Sequence, residues 1–219
     1  MKTIILATGN QNKAGEIREI LSDLDVRVVT MREAGLDPEI VEDGDSFEAN
    51  ALIKVRAVRR ALAEQAACGS AAPGGEDFGA DCLVLADDSG LEVAALGGAP
   101  GIYSARFMGE TTGYAVKMAE IIRRLKGKRG AERAADFRCA MALSLPDGSE
   151  TVTIGRVDGV IAFEPAGRGG FGYDPILYVP ELGMTTAQMT PAQKNAISHR
   201  GKALRMTEIF LRNYLREDR

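Results

Sequence analysis

Two adjacent carboxylates, Asp87 and Asp88, stand at the end of the apolar run Cys82–Ala86, in the stretch ADDSGLEV. A buried strand does not finish on two like charges without a cause, and two readings are open. Asp-Ser-Gly is good turn chemistry, so the pair can cap a turn in water. Alternatively, a cation sits there. Mg2+ is held by one or two protein carboxylates together with phosphate oxygens and water. A bound metal would offset the repulsion between neighbouring carboxylates. A further acidic pair, Glu42-Asp43, could serve the same ion.

Three other stretches carry polar chemistry. In TGNQNK, Thr8–Lys13, a glycine-containing turn links a first strand to a first helix. Such a turn offers backbone N–H groups at a helix N-terminus, where anions are favoured, and Lys13 adds a mobile cation. It matches neither the P-loop nor the dinucleotide fingerprint, and a plain Asn-rich turn with a solvated lysine is the alternative. In GRGGFGYDP, residues 167–175, four glycines surround Phe171, Tyr173 and Asp174. Backbone can approach a ligand closely there, with an aromatic ring as stacking plate; otherwise it is a glycine turn with Phe171 as a core plug. In KNAISHRGKAL, Lys194, Ser198, His199, Arg200 and Lys202 form a dense donor cluster at a helix start, and His199 is the single histidine of the chain. A lone histidine without a GxSxG elbow or other paired nucleophile argues against a serine or cysteine hydrolase. Together the four stretches supply phosphate donors, a candidate metal site, a stacking aromatic and base-edge hydrogen bonders. A nucleotide hydrolase needs that set.

The chain that must position them has 219 residues, 45% hydrophobic and 26% charged, in the ordinary range for a globular protein. A net charge of −4 gives no reason to expect a nucleic-acid partner. Cys68, Cys82 and Cys139 are odd in number and far apart, which fits a reducing cytoplasm rather than a disulfide framework. The N-terminal MKTIILATGN reads as a strand and not as a signal peptide. No run approaches the roughly 18 apolar residues of a membrane span.

Strands are expected at Thr3–Ala7, Val26–Thr30, Leu83–Ala86 and Ile176–Val179, and a hairpin from Phe137–Leu145 and Thr151–Phe163 across Pro146-Asp147-Gly148-Ser149. Helices are expected at Ala14–Leu21, Thr112–Lys126, Thr190–Ala196 and Lys202–Leu215. Another should open at a capping box, Asp45 with Glu48, and carry Phe47, Ala51, Val55, Val58 and Leu62 on one stripe. Residues 66–80, AACGSAAPGGEDFGA, read as a flexible surface loop. With no repeat and no linker, residues 1–219 form one domain of the α/β class, a mixed sheet flanked by helices.

Six stretches, LATGNQNK, DGDSFEANALIKV, ADDSGLEV, LGGAPGIYSAR, GGFGYDP and KNAISHRGKAL, together resemble the inosine triphosphate pyrophosphatase family. They run in order from residue 6 to residue 204, nearly the whole chain. The 66–80 segment is longer than is usual for bacterial members and lies outside every motif. The resemblance implies an elongated mixed sheet with two lobes, the nucleotide in the cleft between them, and a homodimer. It implies that a non-standard purine nucleoside triphosphate (ITP, dITP or XTP) and water give the monophosphate and pyrophosphate, with Mg2+. Carried over by motif, Thr8, Gly9, Asn10, Gln11, Asn12 and Lys13 would cradle the triphosphate, helped by Lys54. Asp88 would ligate the metal and act as general base. Glu42 would be a further ligand, directly or through water, with Asp87 nearby. Ser89 would contact the substrate. Phe171 would stack on the purine beside Gly172 and Tyr173, Asp174 would bond its edge, and Lys194, His199 and Arg200 would close over the base.

Overall fold

The structure, a computed structural model, describes residues 1–68, 78–79 and 81–217. Among these residues the chain forms seven strands and five α-helices. In order they are β1 (Lys2–Leu6), α1 (Gln11–Ile20), β2 (Val26–Thr30), α2 (Phe47–Ala67), β3 (Leu83–Val93), α3 (Tyr114–Arg124), β4 (Ala134–Ser144), β5 (Glu150–Ile161), β6 (Leu177–Val179), β7 (Met184–Thr185), α4 (Pro191–Ile197) and α5 (His199–Glu217). The strand order is β2-β1-β3-β4-β5-β6-β7. β1 runs parallel to β2 and to β3, whereas β6 is antiparallel to β5 and β7 to β6. The expected mixed α/β sheet is therefore present. No helix among the described residues is long and apolar enough to cross a membrane.

By contacts the chain divides into two compact units. The first comprises Met1–Asp88, Ala140–Ile154 and Ala203–Arg219; the second comprises Ser89–Cys139 and Gly155–Lys202. In the first unit, Ile4, Ile5 and Leu6 of β1 and Leu83–Ala86 of β3 are all buried. A continuous apolar run of this kind belongs to a parallel strand covered on both faces. On α2 the stripe Phe47, Ala51, Val55, Val58 and Leu62 is buried, as its helical spacing requires. In the second unit, Leu91, Ile121, Phe137, Ile161, Ile176 and Met189 belong to one core cluster.

Several expected boundaries move. Ser46, not Asp45, caps α2, its hydroxyl accepting from the Ala49 N–H at 3.2 Å. Within the expected 66–80 loop, residues 66–67 instead complete α2 and Phe78 is buried against the Arg27 guanidinium; 69–77 and 80 lie outside the described residues. Lys202 does not start the last helix, because α5 begins at His199. The largest correction is β3. Asp87-Asp88-Ser89-Gly90 does not turn but continues the strand to Val93. Leu91 and Val93 are buried and Glu92 between them is not, which is the alternation of a half-buried strand.

Arg133 ties the second unit together. Its buried guanidinium donates to the carbonyls of Ile161 (2.6 Å), Ala162 (2.8 Å) and Leu125 (3.1 Å). Arg133→Met keeps the bulk and removes the donor from the Ile161 and Ala162 carbonyls, while the Leu125 carbonyl keeps the Lys128 N–H, so it should cost about 1–3 kcal/mol in urea-unfolding experiments. A loss below about 0.5 kcal/mol, the range of an ordinary surface substitution, would contradict this role.

Candidate active site

Two polar clusters hold the residues singled out by the motifs, one in each unit. The first is built on the loop after β1, the helices α1 and α2, and the middle of β3. Asn10 caps α1, its side-chain oxygen accepting from the N–H groups of Asn12 (3.0 Å) and Lys13 (3.3 Å). The Asn10 N–H in turn donates to the Thr8 hydroxyl at 3.1 Å. Gln11, Asn12 and Lys13 are thus the first turn of the helix and not part of a loop. Gly9, Asn10, Gln11 and Asn12 are exposed, and a side chain added at Gly9 would meet nothing within 4 Å. An open backbone beside a helix N-terminus suits a phosphate.

The two aspartates of β3 each have a lysine. Asp87, 2% exposed, pairs with Lys13 of α1. Asp88, 6% exposed, accepts from Lys54 of α2 at 2.7 Å. Consecutive side chains of a strand leave on opposite faces, so one helix serves each carboxylate. Lys54 also lies 3.0 Å from Glu42 and donates to the Asp87 carbonyl at 3.3 Å. Burial pulls the Lys54 ammonium pKa down, but Asp88 and Glu42 outweigh it and the net shift is upward. Asp88 is held above the usual carboxylate range by burial, although Lys54 and Lys13 pull it back. The capped-turn reading of Asp87-Asp88 fails, and the cations in the structure are lysines.

Asn50, one turn before Lys54 on α2, was not singled out by the sequence. Its side-chain oxygen accepts from the Gly44 N–H at 2.9 Å, and a Cβ on Gly44 would come within 2.7 Å of that oxygen. Asn50 thereby fixes the segment that carries Glu42. Its signal was a polar residue one turn from Lys54, beside the apolar stripe of the helix.

Among the described residues no group of three or more His, Cys, Asp or Glu side chains is arranged to hold a metal ion. The three proposed ligands do not form one set, since Asp88 and Glu42 share Lys54 while Asp87 is on Lys13. What fits a cation is Asp88 Oδ2, which is buried and has no hydrogen-bond partner. An acceptor of that kind, with Glu42 beside it, matches an ion that draws most of its ligands from phosphate and water.

The second cluster lies on the 167–174 loop, α4 and the start of α5. Lys194 Nζ and Arg200 Cζ lie 4.8 and 5.5 Å from the Phe171 ring centre. Arg200, 1% exposed, also donates to the Ser89 hydroxyl at 3.0 Å. The His199 ring stacks on Phe137, centroids 4.9 Å apart. Ser198 accepts from the Gly201 N–H at 3.0 Å and so caps α5. Asp174 is buried and accepts from Lys194 (2.6 Å), the Phe171 N–H (2.7 Å) and Thr186 (2.8 Å). Gly172 has φ +66. Tyr173 belongs to the core: its hydroxyl donates to the Ser104 carbonyl at 3.0 Å, its ring meets Tyr114 edge-on, and burial holds its pKa well above the ordinary value.

The model of the Ham1 family matches residues 4–209. The chain belongs to the Ham1 family. It is 41% identical over 216 residues to a dITP/XTP pyrophosphatase of Clostridium perfringens (strain 13 / Type A), covering 99% of this chain and 100% of the relative. A dITP/XTP pyrophosphatase of Bacillus subtilis (strain 168) is 42% identical over 206 residues, 94% of each chain. The solved structure of a HAM1 protein from Coxiella burnetii superposes with a TM-score of 0.81 at 36% identity, covering 97% of this chain and 100% of that one. The family resemblance carried by the six motifs is thus borne out for this Ham1 chain.

In the Ham1 chain, the Lys54 ammonium is shared by two carboxylates, Asp88 and Glu42. Lys54→Met should therefore destabilise the fold by about 3–5 kcal/mol, the cost of stranding buried charge. Adding Asp88→Asn should restore a large part of that loss, read as a coupling energy in urea unfolding of the two single variants and the double variant. Strictly additive losses would contradict the pair.

Proposed function

We propose that this chain hydrolyses non-standard purine nucleoside triphosphates, with ITP, dITP and XTP as substrates, to the monophosphate and pyrophosphate. The names of its relatives support this reading. The observation that carries it is Asp88, a buried carboxylate with one oxygen on Lys54 and the other unpartnered. The open turn at Thr8–Lys13 binds the triphosphate, assisted by Lys54. Once phosphate oxygens approach, Lys13 and Lys54 have anions to pair with besides Asp87 and Asp88.

Asp88 with Glu42, directly or through water, and Asp87 nearby would hold Mg2+. When bound, Mg2+ supplies electrostatic stabilisation of the negative charge that gathers on the leaving pyrophosphate. Asp88 Oδ2 orients a water molecule and takes its proton. The water oxygen bonds to the α-phosphorus as the bond from that phosphorus to the bridging oxygen breaks. Pyrophosphate leaves with that oxygen, and no covalent enzyme intermediate forms. Burial, by raising the pKa of Asp88, makes it a better proton acceptor than an exposed aspartate.

Phe171 stacks on the purine, with Lys194, His199 and Arg200 around it and Ser89 beside Arg200. Hypoxanthine and xanthine carry a 6-oxo acceptor, whereas adenine carries a 6-amino donor. Donors fixed at that edge accept the first and would be left unpaired by the second. Cys68, Cys82 and Cys139 are thiols and not disulfide partners, which fits a cytoplasmic location. The homodimer rests on the family resemblance alone.

Turnover of ITP should release IMP and pyrophosphate with no IDP. IDP and orthophosphate as first products would refute attack at the α-phosphorus. Asp88→Asn should lower kcat by at least about a hundredfold, the scale of a positioned general base; near-normal turnover would move that role elsewhere, with Asp87 first in line. ITP should exceed ATP by at least about a hundredfold in kcat/KM, and Arg200→Met should shrink that ratio. An unchanged ratio in the variant would remove Arg200 as the reader of the 6-position.

A further inference from the structure

The stretch LGGAPGIYSAR, residues 96–106, supplies no group to the proposed reaction, yet two consecutive carbonyls near its end anchor the glycine loop and α3. The Ser104 carbonyl accepts from the Tyr173 hydroxyl at 3.0 Å, and the Ala105 carbonyl accepts from Lys117 Nζ of α3 at 2.5 Å. The turn that carries these acceptors is itself tied down. The Ser104 hydroxyl donates to the Gly101 carbonyl at 2.6 Å and accepts from the Leu91 N–H of β3 at 2.9 Å.

The ring of Tyr114, the first residue of α3, meets both anchored side chains. Its centre is 5.0 Å from Lys117 Nζ and 5.1 Å from the centre of the Tyr173 ring, which it approaches edge-on. The same ring covers Gly172, where an added Cβ would come within 3.6 Å of it. Gly172 has φ +66, a conformation that favours glycine. Earlier in the loop the support is the turn at 185–188. There the Gly169 N–H donates to the Ala187 carbonyl at 2.9 Å, and a Cβ on Gly167 would lie 2.5 Å from the Ala187 backbone. Phe171 stands on the backbone between these two supports.

Lys117 is 1% exposed, whereas Tyr114 is 39% exposed. Burying an ammonium costs desolvation that an apolar side chain would avoid. What the ammonium adds is direction. It attracts the face of the ring one helical turn away, while the Ala105 carbonyl fixes where the charge sits.

We infer that Tyr114 and Lys117 are positioning residues for the purine site: Lys117, anchored on the Ala105 carbonyl, holds the Tyr114 ring against Gly172 and Tyr173, and so fixes the backbone from which Phe171 reaches the base. This rests on the proposed purine-binding role of Phe171. It gives α3 and the 96–106 stretch a part in nucleotide affinity without a contact between either side chain and substrate.

The test uses Lys117→Met, which keeps the length and removes the charge, and Lys117→Arg, which restores a cation. It also uses Tyr114→Leu, which removes the ring, and Tyr114→Phe, which keeps it. In hydrogen-exchange mass spectrometry of the nucleotide-free chain, amides 170–174 should exchange about threefold to tenfold faster in Lys117→Met and Tyr114→Leu. Tyr114→Phe and Lys117→Arg should stay near the wild-type rate. In turnover assays the first two variants should raise KM for ITP by about threefold to tenfold with kcat within about twofold, and the conservative two should not. The double variant Lys117→Met/Tyr114→Leu should be little worse than either single variant, because both break one contact. Unchanged exchange or an unchanged KM in Tyr114→Leu would overturn the inference, and so would an equal loss in Tyr114→Phe or strictly additive losses in the double variant. Should Lys117→Met fail to fold, the two Tyr114 variants decide. A wild-type chain that leaves ITP intact would refute the proposed function instead, and the exchange of the nucleotide-free chain would then decide the clamp by itself.

Discussion

Two neighbouring carboxylates in the middle of a buried strand constrain everything around them. Left unpaired, a buried charge is not tolerated. The chain answers with one lysine for each, Lys13 from the first turn of α1 and Lys54 from the second turn of α2. That requirement fixes where both helices begin. Asn10 must cap α1 so that Lys13 falls at its first turn, and Ser46 must cap α2 so that Lys54 arrives opposite Asp88. It also explains why Glu42 is held by way of Gly44 and Asn50: the segment must come close enough for Glu42 to share Lys54. Stability and chemistry make opposite demands here. The fold needs the lysines on the carboxylates, and the proposed reaction needs them on phosphate, so charge changes partners without either set going unpaired.

The second cluster solves a different problem with the same means. An aromatic ring on a glycine-rich loop has no rigidity of its own, because glycine leaves the backbone unrestricted. A buried aspartate and the turn at 185–188 supply the missing stiffness. Lys194 and Arg200 then lie near one ring without being interchangeable, since Lys194 is committed to Asp174 and Arg200 to Ser89.

Much of this was legible in the sequence, and the failures have physical causes. The strands around Ile4–Leu6 and Leu83–Ala86 and the stripe of α2 follow from apolar patterning, and six motifs identified the family. Of the two readings open for Asp-Ser-Gly in β3, the turn fails because local turn propensity is weaker than two ion pairs and the burial of Leu91 and Val93. Lys54 and Asp88 are 34 residues apart, and no local pattern announces that they meet. No local pattern in GGFGYDP shows that the Tyr173 hydroxyl donates to the Ser104 carbonyl, a partner 69 residues away. Thr186 gave no signal at all, since a hydroxyl in a Thr-Thr pair becomes informative only when its acceptor is known.

In the proposed reaction Asp88 delivers water to the α-phosphorus of a bound triphosphate. The most direct measurement is hydrolysis of ITP in 18O-labelled water, with mass spectrometry of both products. One labelled oxygen should appear in the phosphate of IMP, and the pyrophosphate should be unlabelled. Label in the pyrophosphate, with unlabelled IMP, would place the attack on the β-phosphorus and contradict the proposed reaction.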